Sequence, residues 1–315
     1  MKKGFDTESI ILYSLNKDNF RHYLPDSIRY KISLQSNRGY WPVLHDKLIF
    51  YRYIKNLLPT PELIATVFDG NVTYLNTGYG DTNFLDVIIN AGGVVLKHLQ
   101  GAKGKGIFFL LYCNDHFILQ GKPIKKSDVK LILKELDCYG IFQYQQQHEF
   151  FSKIFSGVAN TIRLVTFYDN EENESFIFAA VLRMGNSSSD SIVDNFSQGG
   201  LISMIDLSTG ELSGWKRKGE NGKVLEGTAH PDTGTIIQGK RVPHWSMIKE
   251  EFLNMLSKEP IFDYVGWDVM VTAEGFTVIE GNHNPDLNLI QLFQPYLQDR
   301  RTMNYFSRLG IFKAF

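Results

Sequence analysis

Residues 264–282, YVGWDVMVTAEGFTVIEGN, constrain the fold of this chain most strongly, because two β-branched, apolar runs flank a short polar turn. That pattern predicts a β-hairpin. The turn residues 273–275 suit a three-residue loop in which Gly275 adopts the left-handed conformation. Folding about this loop places Thr272 opposite Phe276, and the pairing of the other residues in the hairpin follows from that register.

The register places two carboxylates, Asp268 and Glu280, opposite each other on one face of the hairpin, with Cβ atoms about 4.5–5.5 Å apart. Like charges so placed repel each other, and a positive group between them is therefore expected. Asn282 lies two residues after Glu280 on the same face, and Gly266 opposite it leaves space there. Three oxygen ligands suit Mg²⁺. The alternative is that Asp268 and Glu280 pair separately with arginines.

A second feature is the glycine- and lysine-rich stretch VVLKHLQGAKGKGIFFL, residues 94–110. Glycines allow backbone N–H groups to approach phosphates, and lysines add positive charge. The spacing matches neither GxxxxGK[ST] nor GxGxxG, and a solvated turn would look similar. Together with the hairpin, the loop indicates a nucleotide clasped between two sheets. Lys97 ends the first strand, and the loop contains Gly101, Lys103, Gly104, Lys105 and Gly106.

The rest of the chain shows helical and β-rich segments in blocks. The first 60 residues are mainly helical in pattern, and we expect the last helix there to stop before Pro59. Ser127 is expected to cap a helix that ends before Gly140. Strand-like runs on either side of the acidic turn NEENE predict another hairpin. Sheets with helices segregated beside them predict an α+β fold.

Composition and hydropathy exclude several classes of protein. Lys and Arg number 33 and Asp and Glu 34, and the net charge of −1 gives no overall field that would attract nucleic acid or an anionic membrane. The apolar run 107–112 is far shorter than the roughly 20 residues of a membrane-spanning helix. The run 10–13 is too short for a signal peptide. We therefore expect a cytoplasmic protein with no membrane span. Cys113 and Cys138 are expected to be buried, reduced thiols.

Six stretches stand in an order that is typical of one family. They are DKLIFYRYIKNLLPTPE, VVLKHLQGAKGKG, HEFFSKIFSGVANTIRLVT, VLRMGNSSSDSIVDNFSQGG, HPDTGTIIQGKRVPHW and GWDVMVTAEGFTVIEGNHNP. With these motifs, residues 46–292 resemble the ATP-grasp superfamily, in particular its sugar-transfer-associated or TupA-like branch, which is found with surface-polysaccharide genes.

The resemblance implies an ATP-grasp fold of two lobes, with mainly antiparallel sheets that clasp a nucleotide. The implied division is a helical N-terminal lead-in of residues 1–45, a smaller lobe of residues 46–142 with the Gly-rich loop, and a larger lobe of residues 143–315. The larger lobe would contain the metal-binding hairpin and the acceptor site. The oligomeric state is left open.

The resemblance also implies how ATP and Mg²⁺ are held. Lys97 would meet the α- and β-phosphates, and Lys47 would be the second nucleotide-binding lysine, a place for which Lys55 is the alternative. The loop 101–106 would close over the β- and γ-phosphates. The implied ligands of Mg²⁺ are Asp268, Glu280 and Asn282.

Further roles follow from matching positions in the family. Arg163 and Arg183 match strand arginines that would hold the γ-phosphate or an acyl phosphate, and with Lys97 they are the implied catalytic residues; a surface ion pair is the alternative for both arginines. Gln143 stands where relatives commonly have a carboxylate that grips the ribose or adenine, and His148 aligns with a family histidine. The implied acceptor-site residues are Asn160, Asp194, Asn195, Gly199, Gly200, His230 and Asn284.

The implied activity is ATP- and Mg²⁺-dependent ligation of a carboxylate to an amine through an acyl phosphate. The substrates would be small-molecule or glycan-linked acids and amines, such as an amino acid joined to a sugar acid or a peptide in surface polysaccharide biosynthesis. Two alternatives stay open. One is a phosphotransferase that acts on a glycan precursor, and the other is a non-catalytic nucleotide-binding scaffold, which the departure at Gln143 favours.

Overall fold

The computed structural model describes residues 3–75, 83–101, 104–187, 196 and 199–311. The chain divides into two units. The smaller unit is residues His45–Gln146, and the larger unit combines Met1–Leu44 with Gln147–Phe315. The N-terminal residues that the sequence set apart as a lead-in therefore group with the larger unit.

The smaller unit contains a sheet of seven described strands in the order β2-β1-β7-β3-β4-β5-β6, in which all neighbours are antiparallel. Its elements are α4 (Lys47–Ile54), β1 (Leu63–Phe68), β2 (Asn71–Tyr74), α5 (Phe84–Ala91), β3 (Gly93–His98), β4 (Ile107–Cys113), β5 (His116–Leu119), β6 (Lys122–Ile124), α6 (Lys126–Glu135) and β7 (Tyr139–Gln143).

One face of this sheet is covered by α5 and α6. Val94, Leu96 and Ile141 on the strands are buried together with Ile88 of α5 and Val129 of α6. Since strand side chains alternate between faces, β3 carries its odd-numbered residues on the opposite face. The face that carries the odd-numbered residues of β3 is therefore not the one covered by α5 and α6.

The larger unit contains a second sheet of seven described strands, in the order β12-β11-β10-β9-β8-β13-β14 and again antiparallel throughout. Its elements are α1 (Thr7–Leu12), α2 (Arg29–Gln35), α3 (Trp41–His45, which reaches the boundary), α7 (Glu149–Ile154), β8 (Thr161–Asp169), β9 (Glu174–Met184), β10 (Leu201–Ile205), β11 (Leu212–Lys218), β12 (Val224–Gly227), α8 (Trp245–Lys258), β13 (Tyr264–Val271), β14 (Phe276–Asn282), α9 (Leu287–Gln291) and α10 (Arg300–Arg308). The two antiparallel sheets with helices beside them confirm the predicted α+β fold.

The N-terminal residues belong to the core of the larger unit. Leu12, Leu24 and Ile32 are buried in one cluster with Phe167 of β8 and Phe178 of β9, on the face that α9 and α10 also cover. The cluster is buried and mainly hydrophobic, so this segment stabilises the larger sheet directly.

Polar contacts hold the same segment in place. The side chain of Gln291, which is 2% exposed, accepts from the backbone N–H of Leu24 at 2.7 Å and donates to its carbonyl at 3.0 Å. The Asn37 side chain donates to the carbonyl of Tyr264 at 3.0 Å and accepts from its N–H at 3.3 Å. These buried bonds tie the segment to α9 and β13.

The opposite face of the larger sheet packs against α8. The ring of Phe252 lies with its centroid 5.6 Å from that of Trp267 and 6.0 Å from that of Phe276. Both faces of the sheet are therefore covered, and a polar side chain on either face needs a partner.

Two local predictions were wrong. The helix predicted to begin at Ser127 begins at Lys126, and the Asp128 carboxylate accepts from the backbone N–H of Lys125 at 3.1 Å, so the stabilising contact comes from inside the first turn. The two cysteines are free but not buried, since Cys113 is exposed at the end of β4 and Cys138 is half-buried. Within the described residues, no helix has the length and apolar character needed to cross a membrane.

Candidate active site

In the β13–β14 hairpin, Asp268 pairs with Glu280 and Gly266 with Asn282, as the sequence predicted, but the turn differs. Val271, not Thr272, pairs with Phe276, and Gly275 does not adopt a positive φ. A register shift between Asp268 and Val269 adds one residue on β14, and Asp268 then pairs with Glu280 as predicted. The longer loop and the bulge displace the register in opposite directions and cancel.

The neighbouring strands bring two arginines to the same place. Arg163 on β8 pairs in register with Asp268 and donates from Nε to its Oδ1 at 2.5 Å. Arg183 on β9 donates from Nη2 to the other oxygen, Oδ2, at 2.9 Å. Asp268 is 4% exposed and each arginine 6%, so these are buried ion pairs. The surface ion pair considered for both arginines is excluded.

The two arginines explain why the facing carboxylates do not disrupt the hairpin. Burial opposes ionisation of Asp268, but the positive charges of Arg163 and Arg183 outweigh it and hold the pKa of the Asp268 carboxyl below its usual value. Two positively charged arginines thus surround the one negative charge of Asp268. For Asp268, the alternative of neutralisation by arginine is therefore realised, and both arginines share it.

Thr161 is a part of the cluster that the sequence interpretation missed. Its hydroxyl accepts from Nε of Arg183 at 3.0 Å and from Nη2 at 2.6 Å, and it is 5% exposed. Thr161 lies two residues before Arg163, so strand alternation puts both on one face. That spacing within NTIR is the sequence signal that could have identified it.

The oxygen ligands predicted for Mg²⁺ fit a hard cation. Asn282 donates from Nδ2 to the carbonyl of Gly266 at 3.2 Å, which leaves its side-chain oxygen to act as a ligand beside the Glu280 carboxylate. Each oxygen of Asp268 has two lone pairs, so accepting from an arginine does not prevent coordination. Among the described residues, no group of three His, Cys, Asp or Glu side chains is placed to hold a metal ion. The predicted set differs from such a group, since it has two carboxylates and one amide.

The space that Gly266 was expected to leave is filled. A Cβ at Gly266 would lie 2.6 Å from Cβ of Pro285 and 3.1 Å from Cδ of Arg163. Glycine is therefore required because Pro285 packs against the strand at this point, and the residues after β14 are held close to β13.

We expect Gly266→Ala to lower the free energy of unfolding by about 1–3 kcal/mol, because the added methyl group must displace Pro285 or Arg163. Gly275→Ala on the same hairpin is the matched control, since its Cβ would meet only Met247 at 3.4 Å and its φ is not positive. Urea denaturation of both variants tests this. Equal stabilities for the two would show that the Gly266 site relaxes freely.

In the smaller unit, the structure brings Lys47 to the start of the Gly-rich loop. Asp46 caps α4 by accepting from the N–H groups of Leu48 and Ile49, and this places Lys47 in the first turn. The Lys47 ammonium donates to the carbonyl of Gly101 at 2.5 Å. Lys55, the alternative, is exposed beyond the end of the helix, with its ammonium 5.0 Å from the Tyr51 ring. The geometry favours Lys47.

Lys97 and Gln143 lie on opposite faces of the smaller sheet. Lys97 pairs with Gly140 and its ammonium is 5.3 Å from the Phe142 ring, on the face that α5 and α6 do not cover. Gln143 pairs with Val94 and alternates onto the other face. The structure thus does not bring Gln143 and Lys97 together as side chains.

The described part of the Gly-rich loop has the conformation that glycine permits. Gly104 and Gly106 have φ of 74° and 70°, values that other residues adopt with strain. A Cβ at Gly106 would also lie 2.9 Å from the Tyr139 hydroxyl. Lys105 follows within the same loop, whereas Lys103 lies outside the described residues.

Asn160 and His230 are buried around one backbone position, Gly185. Asn160 is 1% exposed and its Oδ1 accepts from the Gly185 N–H at 3.4 Å. His230, also 1% exposed, accepts at Nδ1 from the Asp232 N–H, so its Nε2 carries the proton and donates to the Gly185 carbonyl at 2.9 Å. Gly185 lies two residues after Arg183, and these side chains therefore orient the chain that leaves the cluster.

The remaining predicted positions lie in three places. His148 caps α7, where its Nδ1 accepts from the Phe150 N–H at 3.0 Å. The Gly199 carbonyl accepts from Asn186 at 2.6 Å, with Gly200 next to it in the chain. Asn284 follows β14 by two residues. Asp194 and Asn195 lie outside the described residues.

A family model described as sugar-transfer associated ATP-grasp matches residues 27–303. The match confirms the family resemblance and extends it toward the N-terminus, beyond residues 46–292. None of the curated proteins compared with the chain matches it significantly.

Several solved structures are also similar. D-alanyl-alanine synthetase A from Vibrio cholerae has 10% identity and a TM-score of 0.49 over 85% of this chain and 65% of that chain. The ATP-grasp ligase PsnB, complexed with a phosphomimetic precursor variant, Mg and ADP, has 10% sequence identity and a TM-score of 0.39, over 79% of this chain and 52% of that chain. N5-carboxyaminoimidazole synthetase from Staphylococcus aureus, complexed with ADP, has 11% sequence identity and a TM-score of 0.43, over 78% of this chain and 46% of that chain. This chain covers less than two thirds of each.

Proposed function

Because the chain belongs to the sugar-transfer associated ATP-grasp family, we propose that it is an ATP- and Mg²⁺-dependent carboxylate–amine ligase. It would form an amide through an acyl phosphate. The family description supports a glycan-linked acid or amine as one substrate. We accordingly propose that it joins an amino acid to a sugar acid or peptide during surface polysaccharide biosynthesis.

The observation that carries the proposal is the buried cluster of Arg163, Arg183 and Asp268, in register with Glu280. Ionised groups are seldom buried unless they are paired or functional. Hydrophobic side chains of similar size in place of these ion pairs would stabilise the sheet at least as well, since burying ion pairs costs desolvation energy. Charge stabilisation of a phosphoryl group is a function that needs this arrangement.

The proposed reaction balances in two steps. A carboxylate oxygen takes the γ-phosphoryl group of ATP, and ADP leaves. The amine nitrogen then attacks the acyl carbon, phosphate leaves, and the amine loses a proton. Mg²⁺ bound to the triphosphate would neutralise its charge during phosphoryl transfer.

The residues of the chain have separate proposed roles. Asp268, Glu280 and Asn282 would hold Mg²⁺ through oxygen atoms. Arg163 and Arg183 would orient and neutralise phosphoryl oxygens, and Asp268 keeps both guanidinium groups in place.

The smaller unit would bind the phosphates of ATP. Lys97 and Lys47 would supply positive charge. The Gly-rich loop would present backbone N–H groups to the phosphates.

The first test is the shift in melting temperature that ATP causes, with and without Mg²⁺, because a ligand that binds only the folded protein raises it. We expect a rise that requires Mg²⁺.

We also expect Lys97→Met and Lys47→Met each to weaken ATP binding by about tenfold or more, since a hydrogen bond to a charged group contributes about 1.5–3 kcal/mol. Lys55→Met is the matched control and should bind as the wild type does.

Phosphorus NMR of a turnover mixture with candidate acids and amines then identifies the reaction. Free phosphate together with an amide product supports the ligase. A stable phosphorylated acceptor would instead identify a phosphotransferase. Binding of Mg²⁺–ATP without turnover of any acid–amine pair would favour the non-catalytic scaffold.

A further inference from the structure

The residues after β14 are held by a side chain from the N-terminal segment. Arg29, at the start of α2, donates from Nε to the side-chain oxygen of Asn284 at 2.9 Å. It donates from Nη2 to the backbone carbonyl of the same residue at 3.0 Å. Its Nη1 also lies 3.7 Å from Oδ1 of Asp286. One planar guanidinium therefore fixes the side chain and the backbone of Asn284 at once.

The same short segment, residues 283–286, is fixed by two further contacts. Pro285 packs so closely on Gly266 that a Cβ there would come within 2.6 Å. The Trp41 ring lies with its centroid 5.4 Å from that of His283. The segment begins immediately after Asn282, so its position sets the direction in which β14 ends.

Arg29 also connects this segment to the helix that follows. Asp286 caps α9 by accepting from the Asn288 N–H at 3.4 Å. Gln291, near the other end of α9, is bonded to the backbone of Leu24. The N-terminal segment thus holds both ends of the region 284–291, and Arg29 provides its hydrogen bonds to the end nearer to the strand.

We propose that Arg29 is a positioning residue for the Mg²⁺ ligands Glu280 and Asn282, and that the N-terminal segment is thereby a working part of the site. The proposal rests on the proposed function, because it assigns a task toward that same metal. Partners that orient ligands without touching the metal typically affect metal affinity by about 10–100-fold. Arg29 acts through Asn284, two residues from Asn282.

The test compares Arg29→Met and Arg29→Lys with Arg301→Met. Arg301 is a matched control because it also donates to a helix-capping aspartate, Asp299, at 3.2 and 2.7 Å in the same unit. Lysine keeps the charge but cannot bond the Asn284 side chain and carbonyl in the fixed geometry of a guanidinium. The Lys variant keeps the test available if the Met variant fails to fold.

Two readouts are measured. The first is the Mg²⁺ concentration that gives half of the ATP-induced thermal shift. We expect it to rise about tenfold or more in both Arg29 variants and to stay unchanged in Arg301→Met. The second is amide hydrogen exchange of residues 279–288 without ligands, which should become faster only in the Arg29 variants.

The outcomes separate the two proposals. If the Mg²⁺ midpoint of the Arg29 variants equals that of Arg301→Met, Arg29 has only a structural role and the inference fails, even where the melting temperature falls. If the wild type shows no Mg²⁺-dependent response to ATP, the proposed function fails first. Faster exchange with a raised midpoint supports the inference.

Discussion

Replacing Asp268 by asparagine is expected to lower the free energy of unfolding by about 3–5 kcal/mol, because it leaves two buried arginines without their shared counter-charge. Both guanidinium groups donate to this one carboxylate, and both are 6% exposed. An asparagine would offer one oxygen and would turn an NH₂ group toward a cation. Denaturation of the variant and of the wild type with guanidinium chloride measures the difference in the free energy of unfolding.

Glu280→Gln is the matched control for stability. From the sequence alone, removing this charge should relieve repulsion with Asp268. In the structure the two arginines bond to Asp268 and already offset its charge, so we expect Glu280→Gln to change stability much less than Asp268→Asn does. Equal losses in the two variants would contradict the assignment of the arginines to Asp268.

The stability difference between the wild type and Asp268→Asn should depend on pH. The folded pKa of Asp268 is lowered, against an unfolded value of about 3.9. The stabilisation is therefore fully present above the unfolded pKa and is lost as the pH falls through the lower folded pKa. We expect the difference to shrink only below about pH 4. A difference that already disappears at neutral pH would show that Asp268 is not held ionised.

Glu280→Gln is expected to reduce turnover by about 10²-fold or more while the fold persists, because it removes a negative oxygen ligand from the Mg²⁺ that neutralises the phosphoryl group. Phosphate release in a mixture that supports wild-type turnover is the measurement. Glu274→Gln, at the exposed tip of the same hairpin, is the control and should be fully active. Full activity of Glu280→Gln would refute the magnesium assignment.

The pairing of Asp268 with Glu280 was predicted correctly because two local errors cancelled. Strand alternation counted from the observed loop alone would place Asp268 opposite Ile279, and the bulge between Asp268 and Val269 restores the pairing with Glu280. The prediction was correct for that pair although the loop was wrong. The bulge that compensated for the longer loop could not be predicted, because the β-branched, apolar pattern of β14 continues through it without interruption.

The partners of Asp268 were not predictable in the same way. Arg163 and Arg183 were singled out as strand arginines, but 105 and 85 residues separate them from Asp268. Their meeting depends on the strand order β9-β8-β13, which short-range patterns do not encode.

The sequence by itself determined the family, the α+β class and the presence of a hairpin that carries both carboxylates, because motifs and strand periodicity are properties of short stretches. Only the tertiary structure decided that two buried arginines share Asp268, and that N-terminal side chains such as Leu24 and Ile32 lie in the core of the larger unit. Arg29 and Asn284 lie 255 residues apart. A contact over that separation forms because both segments bury apolar side chains on one face of the sheet, and no local pattern specifies which distant segment will cover it.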